Sequence, residues 1–237
     1  MKVLACIYTC AADAPARAAL EATSLLKYLR ADARFTVVDV TAAPALPEPK
    51  VTSENIIVPC PESYTSLSLK TWHMIGAACK LDFDFLLKVD ATLARYTERP
   101  HAKSAEVLAA LTPDAALSAI ESPEFFSRAY AGLVRQCASR EGFGTWLQMK
   151  GLNGNYAQVF GTRAQTPPYY LGKCYALRRD FCEFIAVHGK SMALEHARWL
   201  GGSEDMMVGR LYATWQNHQQ RPMSRLRRLG ARIFRRR

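Results

Sequence analysis

Apolar positions in the first ninety residues switch between two periods. Lys2 to Tyr8 is a short apolar run that reads as a strand. Ala18, Ala22, Leu25, Leu26 and Leu29 then recur at helical spacing, which predicts a single amphipathic helix over 16–30. Pro15 stands just ahead of it, at a position suited to a helix start. Phe35 to Val40 reads as a second strand, so the chain opens as a βαβ unit with a right-handed parallel connection expected. Residues 43–53 carry Pro44, Pro47 and Pro49 and read as a loop. Asn55 to Val58 is a short strand, and Ser63 to Lys80 a helix with Leu69, Trp72, Ile75 and Cys79 on one face. It leads into Phe83 to Thr92, an apolar strand with Lys88 and Asp90 near its C-terminal end. Such a strand is covered on both faces, as in an α/β sheet, and these sheets bind ligands outside the carboxyl ends of their strands. Asp90 is therefore the central candidate, with Tyr8 and Thr9 beside it at the end of the first strand.

The middle of the chain carries weaker patterns. Ser104 to Leu111 and Phe125 to Cys137 read as helical patches, and the glycine- and aromatic-rich stretch 142–160 as loops of a substrate-facing insertion. Pro167 to Leu177 reads as a strand with Gly172 inside it, a sign of close backbone approach. A helix follows from Arg178 to about Val187. Ser203 is a candidate N-cap for a last helix, with Glu204 and Asp205 in its first turn and apolar positions through Trp215. The predicted fold class is α/β, a Rossmann-like mixed sheet flanked by helices. One domain is expected over 1–220.

Composition narrows the class. The 237 residues are 49% hydrophobic and 22% charged, the balance of an ordinary globular protein. No apolar run approaches the roughly 20 residues of a membrane span, and the N-terminus enters a strand at once, so no signal peptide is expected. The seven cysteines are irregularly spaced and mostly lie inside apolar patterns, pointing to a reducing, cytoplasmic setting. The net charge of +10 is uneven: residues 221–237 hold eight arginines and no acid, leaving about +2 for the rest. With Leu226, Leu229, Ile233 and Phe234 interleaved, that tail can form a basic amphipathic helix or remain a solvated coil.

Four blocks now fall in order: Glu62-Ser63-Tyr64-Thr65-Ser66-Leu67-Ser68-Leu69-Lys70-Thr71; Lys88-Val89-Asp90; Pro168-Tyr169 with Gly172 and Tyr175; and Glu204-Asp205-Met206-Met207-Val208-Gly209. Together they resemble the family 31 β-1,3-glycosyltransferases, the galactosyl- and N-acetylglucosaminyltransferases that include the Fringe enzymes. That family reads approximately D-x-Y-x-N-L-T-L-K-T, K-x-D-D-D, P-x-Y-x-x-G-x-x-Y and E-D-V-x-x-G. Arg17 sits where it has an arginine near its first strand.

The resemblance implies a GT-A fold and inverting transfer of a hexose or N-acetylhexosamine from a UDP-sugar to a glycan or lipid-linked acceptor, as in surface polysaccharide or lipopolysaccharide synthesis. Asp205 is the favoured general base and Glu204 the alternative; Tyr8, Thr9, Arg17, Lys70, Lys88 and Asp90 are candidate donor contacts. It also implies Mn²⁺ held by an aspartate triplet, which here reads Asp90-Ala91-Thr92. Asp90, Thr92 and His218 are the remaining candidate metal ligands. A metal-free enzyme would instead need cations such as Lys88 or the tail arginines to offset the diphosphate. The loss of two acids leaves open a second class, a silent nucleotide-sugar-binding or assembly module. The tail is expected to attract the anionic inner face of a membrane. Nucleic acid, which would attract the same charge, is the less favoured partner because the implied acceptors are lipid-linked.

Overall fold

A computed structural model describes residues 1–98, 104–139, 148 and 165–234, with side chains for those up to 219 other than 97 and 98. Its centre is a seven-stranded mixed sheet in the order β3-β4-β2-β1-β5-β9-β6. The strands are β1 Val3–Tyr8, β2 Phe35–Ala42, β3 Lys50–Val51, β4 Asn55–Val58, β5 Phe85–Asp90, β6 Tyr130–Gly132 and β9 Cys174–Arg178. β1, β2, β4 and β5 are parallel, whereas β3 and β9 run against their neighbours. Two further strands, β7 Arg135–Gln136 and β8 Tyr169–Tyr170, form a small antiparallel pair. The chain thus has the Rossmann-like α/β architecture that its alternating periods predict.

Strand periodicity divides the core in two. Val3, Ala5, Ile7, Phe85, Leu87 and Val89 face α1 (Ala14–Glu21), α2 (Ser24–Ala31) and α5 (Pro113–Glu121) through Leu20, Leu25, Leu26, Leu29 and Ile120. Leu4, Cys6, Tyr8 and Leu86 face the other way. There they meet α3 (Leu67–Ala78), α6 (Arg179–His188) and α8 (Glu204–Phe234) through Met74, Ile75, Phe181, Ile185, Met207 and Leu211. All seven cysteines are free, four of them buried in these layers.

Several elements depart from the sequence pattern. The helix expected over 16–30 is two helices, because Thr23 takes an extended backbone and caps α2, its hydroxyl accepting from the Leu26 amide at 3.3 Å. Phe125 to Cys137 is not helical. Its backbone pairs instead with β9 through β6 and with β8 through β7, so sheet hydrogen bonding overrides a local pattern. The proline loop holds the two-residue β3, paired to Ile56 and Ile57. Pro167 to Leu177 breaks at Gly172 and Lys173 into β8 and β9. α4 (Ala105–Ala109) occupies the predicted 104–111 patch, while α5 and α7 (Lys190–Trp199) carry no prediction. The stretch 142–160 lies outside the described residues, apart from Gln148. α8 continues through Phe234, so from Arg221 the arginine stretch extends the last helix in backbone terms. No helix among the described residues is long and apolar enough to cross a membrane.

Candidate active site

The strand period that builds the core also builds the site. Lys88 and Asp90 share the face of β5 that carries Leu86, and the register places Cys6 beside Lys88 and Tyr8 beside Asp90. On the other side Tyr175 of β9 lies opposite Lys88. Polar groups on an otherwise apolar face at the sheet's carboxyl edge require partners, and α3 and α8 supply them.

The buried Glu204 carboxylate is the meeting point. Its Oε1 accepts from the Lys88 ammonium at 2.6 Å, and its Oε2 accepts from the Thr71 hydroxyl at 2.7 Å and the Tyr175 hydroxyl at 3.1 Å. Since Thr71 spends its one proton on Glu204, the Tyr8 hydroxyl donates to Thr71, at 2.7 Å. Lys88, 1% exposed, also donates to the Gly172 carbonyl and lies 4.6 Å from the Tyr8 ring centroid. Burial acts to lower its pKa, but Glu204 and Asp90 prevail and raise it, so the ammonium stays charged. Gly172 is required here: a Cβ would run into the Glu204 carboxylate.

Asp90 is held differently. Its Oδ1 accepts from the Thr92 amide at 2.9 Å and hydroxyl at 2.5 Å; its Oδ2 faces Lys173 at 3.2 Å and Lys88 at 3.7 Å. Burial pushes this carboxyl up, yet Lys173 and Lys88, with the Thr92 hydrogen bonds, hold it below the usual carboxylate range. Lys173 also donates to the Thr92 hydroxyl at 2.7 Å, while its carbonyl accepts the Asp90 amide at 2.9 Å.

Asp205, the next residue of α8, is partly exposed and accepts from the Met206 amide at 2.8 Å. Burial first, then the neighbouring Glu204 charge, pushes its carboxyl up to about 6. The helix start is fixed from below. His196 Nδ1 donates to the Ser203 carbonyl at 2.9 Å, and its Nε2 accepts from Arg210 at 2.8 Å. Burial and the Arg210 charge lower this histidine to about 3, so it stays neutral. Ser203 occupies the predicted cap position, its carbonyl accepting the Met207 amide, but its hydroxyl bonds His196. Gly201 and Gly202 make the preceding turn at positive φ, and a Cβ on Gly202 would strike the Tyr64 and Thr65 carbonyls.

Compared with family models and with curated protein sequences, the chain matches none.

The candidate residues divide accordingly. Glu204, Asp205, Lys88, Asp90, Thr92 and Tyr8 assemble at one edge. Tyr8 is buried, with the Lys88 and Lys70 ammonium groups 4.6 and 5.1 Å from its ring centroid. Lys70 is 3% exposed and is consumed by Glu62 at 2.6 Å and the Thr9 carbonyl at 2.7 Å. Thr9 thus joins the cluster through its backbone. Arg17 stands apart, its guanidinium held by Asp39 and Glu21. His218 lies 14 residues beyond Glu204 along α8, about 21 Å at the helical rise, exposed and with its ring beside Phe184. It is not brought to Asp90. No group of three or more metal-ligating side chains occurs among the described residues. Lys173 carries no signal in the sequence beyond its place after Gly172, and it reaches Asp90 because the break between β8 and β9 crosses the end of β5.

Proposed function

We propose that this chain is an inverting glycosyltransferase of the GT-A type, moving a hexose or N-acetylhexosamine from a UDP-sugar to a glycan hydroxyl, with a β-1,3 linkage implied by the resemblance. One observation carries the reading. The four sequence blocks that resemble family 31 are far apart in the chain, and Thr71, Lys88, Gly172 and Tyr175 from the first three all converge on Glu204 of the fourth.

In this reading the residues have separate tasks. Glu204 already accepts three hydrogen bonds and serves to position the cluster. Asp205, partly exposed and poised at about 6, takes the acceptor hydroxyl proton. As that oxygen forms its bond to the anomeric carbon, the bond to the β-phosphate oxygen breaks, and UDP leaves with the electron pair. Developing charge on the leaving phosphate needs fixed cations nearby, and lysines stand at this edge. The tail from Arg221 serves as a cytoplasmic-face membrane tether, consistent with a lipid-linked acceptor. A second reading, a catalytically silent nucleotide-sugar-binding or assembly module, is favoured by the replacement of two family acids by Ala91 and Thr92.

The first test is calorimetric titration of UDP, with ADP and GDP as controls. Selective one-to-one binding of UDP, weakened in Asp90→Ala, is expected. A chain that binds none of the three nucleotides has no donor site for them, and the glycosyltransferase reading fails.

A further inference from the structure

The family resemblance assigns Asp90, Thr92 and His218 to a divalent cation, and the geometry does not fit one. His218 lies about 21 Å along α8 from Glu204. The Thr92 hydroxyl is already taken up between Asp90 and Lys173, at 2.5 and 2.7 Å. The one remaining carboxylate faces two ammonium groups, Lys173 at 3.2 Å and Lys88 at 3.7 Å. A divalent ion placed at Asp90 would sit against two fixed positive charges with one acidic ligand among the described residues. Hard divalent cations instead take several oxygen ligands.

We propose that Lys173 takes the place of the metal, and that the chain binds the donor diphosphate without a divalent cation. This rests on the UDP-sugar reading of the site. Lys88 cannot fill the role, because it is 1% exposed and committed to Glu204 and the Gly172 carbonyl. Lys173 is 20% exposed and stands at the same sheet edge. Its ammonium is held by Asp90, by Thr92 and over the Tyr96 ring at 5.2 Å from the centroid. A point charge fixed in this way is pre-organised for a phosphate, with little further ordering on binding. The hydroxyl at position 92 belongs to the same arrangement: it orients Lys173 without cancelling its charge, which a second carboxylate would do.

The experiment is calorimetric titration of UDP into the full chain in EDTA and again in MnCl₂, for the wild type, Lys173→Met, Lys173→Arg and Thr92→Asp, each checked for folding by circular dichroism. UDP is expected to bind the wild type equally in both buffers. Lys173→Met is expected to weaken UDP about tenfold or more, the value of one charge-assisted hydrogen bond, and Lys173→Arg to retain most of the affinity. Thr92→Asp is expected to lose UDP affinity in EDTA. Binding by the wild type only when Mn²⁺ is present would overturn the inference and leave the glycosyltransferase reading standing. Full affinity of folded Lys173→Met in EDTA would also overturn it. Failure to bind UDP in either buffer would remove the glycosyltransferase reading itself.

Discussion

Adjacent acids at the start of α8 have opposite fates. Glu204 turns inward, where Lys88, Thr71 and Tyr175 donate to it, while Asp205 stays partly exposed with its carboxyl pushed up to about 6. Removing one partner of a buried pair leaves an uncompensated charge. Glu204→Gln keeps the shape but strips that charge from Lys88. It is therefore expected to destabilise the fold by about 3 kcal/mol, the lower end of the range for broken buried pairs, because Asp90 remains 3.7 Å from the ammonium. Urea denaturation measures this, and an unchanged midpoint would mean that the pair does not anchor the site. The sequence makes both acids visible and favours Asp205, but the division of labour depends on which carboxylate the helix start turns towards Thr71 and Tyr175. No local pattern encodes that. Lys173 is hidden for the same reason, since its value comes from a chain crossing that joins residues far apart in sequence.

Elements were legible where one period ran unopposed. β1 and β4 fall within one residue of where the apolar runs place them; β5 is two residues shorter at each end than the 83–92 run, and α3 ends at Ala78 after a 3-10 turn at Tyr64–Ser66. The pattern misleads where a single capping threonine splits a helix, at Thr23, and where strand pairing captures a helix-like stretch, at 125–137. α8 is the element with two natures: its first turns pack Met207, Val208, Leu211 and Trp215 into the core, and its last turns carry the arginines. A basic helix extending from a packed stem suits an anionic surface, with each basic residue near it worth about 1 kcal/mol. Deleting 221–237 is expected to abolish sedimentation with vesicles containing phosphatidylglycerol and to leave UDP affinity unchanged. Undiminished sedimentation of the truncated chain would remove the tether.

At the scale of the whole molecule, the sheet serves as a frame that delivers one end of β1 and β5, the break before β9 and the start of α8 to a single edge. Two apolar layers hold that frame, and the charged cluster sits where the layer facing α3 and α8 reaches the carboxyl end of the strands. The proposed sugar transfer at this edge uses Asp205 as the base. A base works only when deprotonated, so the rate must fall as pH drops through the Asp205 value and recover above it. The decisive measurement is UDP release from a panel of UDP-hexoses and UDP-N-acetylhexosamines, with glycan acceptors, across pH 4.5–8.5 for the wild type and Asp205→Asn. The wild type is expected to gain activity as pH rises through about 6, and the variant to lose about 100-fold or more while still binding UDP. Equal rates and equal pH profiles for the two proteins would rule out Asp205 as the base of a transfer at this edge.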